Sequence, residues 1–103
     1  MTLEEIKVRL SGTGYPVAYR AWPEEQAPPM PYLLFLAAGS DNFAADGGVY
    51  QSFTRIQIEL YSKLKDPAAE AKVEAALDFT FWEKTEIYLD SEKCYEVLYE
   101  IEV

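Results

Sequence analysis

The chain has 103 residues, half of them hydrophobic and 15% aromatic, and its 18 acids against 9 bases leave a net charge of −9. That length suits one domain, that composition is too apolar for a disordered chain, and the acid excess has the wrong sign for holding nucleic acid through its phosphates. No apolar run reaches the roughly 18 residues a membrane-spanning helix needs, and a single cysteine, Cys94, cannot staple the fold internally.

The bases form no stripe. Lys63 and Lys65 are a local pair, and Lys84 and Lys93 sit among acids. An acidic surface lets DNA pass without holding it, because like charges repel. The opening MTLEEIKVRL has early acids and no apolar signal core. The expectation is a chain without a secretory signal, made in a reducing cytoplasm.

Thr2 and Glu5 have the spacing of a capping box. Leu3, Ile6 and Leu10 follow at helical spacing, and Gly12 and Gly14 end the run. This predicts a short amphipathic helix over 3–11 that packs on a sheet. YPVAYRAW, residues 15–22, alternates and reads as a strand. PEEQAPPMP, residues 23–31, holds four of the six prolines. Each proline fixes φ and removes a donor, so the segment is stiff. It is either a rigid connection or interface arm, or a polyproline ligand; Pro28, Pro29 and Met30 are its candidate contact residues.

YLLFLAA, residues 32–38, is short and continuously apolar, as a buried central strand is. VYQSFTRIQIELYS, residues 49–62, alternates, with Ile56, Ile58 and Leu60 on one face and Gln57, Glu59 and Tyr61 on the other. The two strands predict a hairpin around the glycine-rich stretch between them. Asp66 before Pro67 is a helix start, and Ala69, Val73, Ala76 and Leu77 stripe a helix over roughly 67–78. Residues 84–90 and 94–103 are two further strands, joined by the turn Asp90-Ser91-Glu92-Lys93. In the last strand Tyr95, Val97, Tyr99, Ile101 and Val103 share one face, and Glu96, Glu100 and Glu102 the other, a solvated or partner-facing surface. The reading is an α+β domain: two helices on one face of a mostly antiparallel sheet of about five strands.

The sequence offers little chemistry. It has no histidine, so the commonest general base and metal ligand is missing. Cys94 starts a strand and reads as a structural thiol. GSDNFAADGGVYQSF, residues 39–53, superficially suggests a calcium loop. Counted from Asp41, however, the third position is Phe43, the sixth Asp46 and the twelfth Ser52, which breaks the calcium-loop pattern. Gly47-Gly48 is followed by no phosphate-binding lysine. Glu96 and Glu100 lie about 13 Å apart along a strand, wider than paired glycosidase acids. Nothing points to catalytic, cofactor or metal residues. Asp46-Gly47-Gly48 is turn chemistry. Phe43 at the tip of a polar loop either tucks back on the hairpin or anchors a partner chain.

Four segments together carry a resemblance: TLEEIKVRLSGTGYPVAYRAW, PYLLFLAAGSDNFAADGGVYQ, IQIELYSKLKDPAAEAKVEAAL and EIYLDSEKCYEVLYEIEV. Across nearly its whole length the chain resembles the minor tail, or minor capsid, proteins of long-tailed phages and prophages of Gram-positive bacteria. That group is related to the tail terminators that act in head–tail joining. The most specific parts are SDNFAADGGVY, the ELY and KDP segment, and the SEKCYEVLYEIEV ending. The resemblance implies a small non-catalytic α+β subunit, found in the virion at the head–tail junction. Six copies would form a ring that caps the head-proximal end of the tail tube, meets the tube protein and the head connector or stopper, and lets DNA through its lumen. Asp41, Asn42, Phe43, Asp46 and Tyr50, with the proline-rich arm, are then the candidate contacts between subunits. Other roles left open are a stopper subunit, a tail assembly chaperone, and a small binding module outside phages.

Overall fold

In the computed structural model the expected capping box forms. The Thr2 hydroxyl accepts from the Glu5 backbone N–H, and the Glu5 carboxylate accepts from the Thr2 N–H at 3.2 Å. These bonds satisfy donors that a helix start leaves unpaired, and α1 runs Leu3–Ser11. The structure describes residues 1–45 and 48–103, and the side chains of all but residues 41–51. After α1 come β1 (Val17–Tyr19), β2 (Tyr32–Ala45), β3 (Gly48–Ser62), α2 (Pro67–Ala76), β4 (Trp82–Leu89) and β5 (Cys94–Glu102). Asp66 caps α2 by accepting from the Ala69 N–H at 3.0 Å, with Pro67 at the first helical position.

The five strands are ordered β1-β2-β3-β5-β4. Only β1 with β2 is a parallel pair; the others are antiparallel. The last strand therefore inserts between β3 and β4, which leaves β4 at an edge. Ile58 lies opposite both Phe35 and Tyr99, and Leu60 opposite both Leu33 and Val97. With Ile56 and Ile101, these residues form one apolar sheet face. Ile6 and Leu10 of α1, and Ala69, Val73 and the following Leu77 of α2, complete the same cluster. Both helices thus cover one face, and the fold is α+β.

Two expectations need correction. The strand over 15–22 shrinks to Val17–Tyr19, because Arg20 turns into the left-handed region at φ 67° and breaks the extended run. The stretch expected as a loop is mostly strand. β2 continues to Ala45 and β3 begins at Gly48. Asp46 and Gly47, where the turn was expected, lie outside the described residues.

Candidate interaction surfaces

Beyond its pairing with β5, the β2–β3 hairpin leaves the sheet. β5 pairs with β3 only over Arg55–Ser62, and β1 with β2 only over Leu33–Phe35. The Thr54–Val103 backbone bonds, at 2.9 and 3.0 Å, are the last rung between body and hairpin. Past that rung, from Asp41↔Phe53 to Ala45↔Gly48, the hairpin adds five residue pairs that have no third strand among the described residues. This arm is about 16 Å long at ~3.3 Å per residue. At its root the register shifts between Ala37 and Gly39. Such a bulge bends a strand and strengthens its local twist. Gly39 matters here for lack of a side chain: a Cβ would lie 2.6 Å from Arg55 Nη2.

Asp41, Asn42, Phe43 and Tyr50 all belong to this arm, two strands of which carry them together. Their side chains, and the whole of Asp46, fall outside the described residues. Pro28, Pro29 and Met30 lie instead in the loop before β2, where Pro28 and Met30 are half-buried and Pro29 is exposed. Met30 and Pro31 line a groove with Ser62, Lys63 and Leu64, at the opposite end of the sheet from the arm root. The two candidate sets are therefore separate surfaces.

The sheet face away from the helices is partly apolar. Trp22 meets Tyr32 edge-on at 5.4 Å between ring centroids, and Tyr32 meets Tyr61 at 5.3 Å. The Tyr61 hydroxyl donates to Glu59 Oε1 at 3.2 Å. Glu96, expected among solvated acids, is only 8% exposed. It lies directly across from Tyr61, one diagonal from Glu59. Burial raises its carboxyl above the usual range, and the nearby Glu59 charge adds to this. Cys94 is buried, as expected of a structural thiol, and burial pushes its thiol up.

Charged groups tie α2 to the edge strand. Lys65 contacts Glu70 and Glu86, each at 2.6 Å. Lys84 contacts Glu70 at 3.2 Å and Glu74 at 2.8 Å. Burial alone would raise Glu70, but the bonds from Lys65 and Lys84 outweigh it and hold the carboxyl below its ordinary value. Buried Tyr99 donates to Glu74 Oε2 at 2.7 Å. Burial, then that bond, pushes its phenol far up. At the other helix, Arg9 reaches Asp78 at 3.5 Å and the Ala76 carbonyl at 3.4 Å, over the Phe79 ring. A cation at the end of α2 is favourable to its dipole.

A cavity of about 420 Å³ opens beside the arm root. Phe81 stands at its rim, and Glu83, Glu100 and Glu102 line it with Arg55. Sequence reasoning missed this cavity and the Glu59–Tyr61–Glu96 cluster. Both depend on β5 lying between β3 and β4, an order that no local spacing encodes.

Among the described residues, no group of three or more histidine, cysteine, aspartate or glutamate side chains is placed to hold a metal. No helix among them is long and apolar enough to cross a membrane. No family model matches the chain, and no curated protein matches it.

Proposed function

We propose that the chain is a structural virion protein: a tail terminator subunit that caps the head-proximal end of a phage tail tube and helps join tail to head. The observation that carries this reading is the arm. Five residue pairs of hairpin run on past the last rung of the sheet with no third strand beside them among the described residues. An isolated two-stranded ribbon is marginal in water, and its outer edges offer unpaired N–H and C=O groups to another chain. A subunit that works alone has little use for such an extension; a subunit that locks onto neighbours does. The resemblance supplies the setting, a homo-oligomeric ring between the tail tube protein and the head connector. The net charge of −9 suits a lumen through which DNA slides without sticking. No step of this role asks for catalysis or a cofactor.

Electron microscopy of particles assembled without the protein tests the reading. Overlong, headless tails are the expected outcome. Tails of normal length beside unattached heads would assign it to the stopper instead, and normal virions would overturn both.

A further inference from the structure

Among the described residues, the large hydrophobic side chains most open to solvent are Phe81, 79% exposed, and Leu64, 78% exposed. They lie at opposite ends of the sheet. Phe81 rims the cavity at the arm root, which Arg55 of β3 also lines. Leu64 sits just past Ser62, the last residue of β3. Seven residues of strand separate the two ends, about 23 Å at ~3.3 Å per residue, so they cannot meet within one molecule.

Their surroundings are complementary in charge. Glu83 and Glu100 lie directly opposite each other on β4 and β5 and line the cavity. Like charges directly opposite destabilise a sheet unless a cation comes between them. Neither acid has an ion pair or side-chain hydrogen bond among the described residues, whereas Lys84, between them in sequence and on the other face, is engaged with Glu70 and Glu74. At the far end, Lys65 is held by Glu70 and Glu86. Lys63, next to Leu64, has no ion pair among the described residues. The chain thus carries an apolar tip with a spare cation at one end and an aromatic rim with two spare acids at the other.

We propose that copies of this chain associate head to tail, the Lys63–Leu64 knuckle of one entering the Phe81 cavity of the next. Leu64 covers Phe81, and the Lys63 ammonium sits between Glu83 and Glu100. The contact is heterologous: each subunit offers a different surface to each neighbour, as a ring requires. The inference rests on the reading of the chain as a self-assembling ring subunit and names the surfaces that would join. An unrelated partner is the weaker occupant, because the chain itself supplies the matching knuckle.

Disulfide trapping tests it. Leu64→Cys and Phe81→Cys variants, one carrying a tag that separates the products by size, are mixed in a glutathione redox buffer. Native Cys94 is 1% exposed and does not compete. Val8→Cys, at a site 72% exposed, is the control for random collision. The expected result is a Leu64→Cys/Phe81→Cys heterodimer in excess over the Val8→Cys/Phe81→Cys heterodimer by about two- to fivefold, the scale of one exposed ion pair. Adding Glu83→Lys to the Phe81→Cys chain should remove the excess, and Lys63→Glu on its partner should restore it. Equal yields with the control, or an excess indifferent to the charge swap, would overturn the proposal. Overlong tails in particles lacking the protein, together with equal trapping yields, would reject this interface and leave the ring reading standing.

Discussion

The body and the arm of this molecule are built from the same two strands by opposite physical means. Over Leu33–Phe35 and Ile56–Leu60 the hairpin has a strand on each side and two helices over one face. Ile58 and Leu60 are fully buried there. Past Ser40 and Thr54 the same strands stay paired with each other, with no third strand beside them among the described residues. Hydrogen bonding alone contributes little net stability, since water competes for each bond. The body is therefore stable by burial. The arm keeps its shape by pairing, and under the proposed function a neighbouring subunit completes it.

The largest effects should come from the body. Leu60→Ala removes a side chain enclosed by β2, β5 and the helices, and should cost ~2–5 kcal/mol of unfolding free energy. In a domain of this size that lowers Tm by roughly ten degrees or more, readable by calorimetry. Replacing residues 40–53 by Asn-Gly, a two-residue turn, should by contrast leave Tm nearly unchanged while abolishing assembly. A collapse of Tm in the deletion variant would show that arm and body are one cooperative unit.

Next in size is the polar contact beneath α2. Tyr99→Phe strips the hydroxyl from Glu74 and should cost ~1–2 kcal/mol. Glu70→Gln loosens the bonds to Lys65 and Lys84. Those lysines are 48% and 41% exposed, so the screened loss should be only about 1 kcal/mol. Its sign with pH is fixed. The Glu70 carboxyl is held below its ordinary value, so its contribution is present above the ordinary carboxylate range and is lost as pH falls through the lower, folded value.

The smallest effect belongs to the open face, and it has the opposite sign. Glu96 is raised by burial and by Glu59. The folded chain therefore keeps a proton that the unfolded chain has released. Stability should fall as pH rises from the ordinary glutamate value to the raised one. Glu96→Gln should flatten that slope in denaturant titrations at a series of pH values. A slope unchanged by the substitution would show that this carboxyl is not the source.

Much of the body was legible in the sequence because its signals are local. The Thr2–Glu5 spacing, Asp66 before Pro67, and the alternation of Ile56, Ile58 and Leu60 each need only neighbouring residues to be read. The arm was misread as a loop for a related reason. Ser40, Asp41 and Asn42 are poor strand formers by composition, and they are strand because β3 pairs with them rung by rung. The buried Glu96 was missed because alternation gives the face on which a residue stands, and not what stands beside it. Its neighbours Tyr61 and Glu59 are 35 and 37 positions away in sequence, brought adjacent by the placement of β5 against β3.

The central claim is that the arm serves assembly while the body serves stability. The most direct measurement replaces the protein with its arm-deleted form during particle assembly, and reads tail lengths by electron microscopy alongside the melting temperature of the purified variant. The account predicts a Tm within about 3 °C of the full chain, less than 1 kcal/mol by the usual scaling, together with overlong tails that lack heads. Tails of normal length made by a well-folded arm-deleted protein would contradict it.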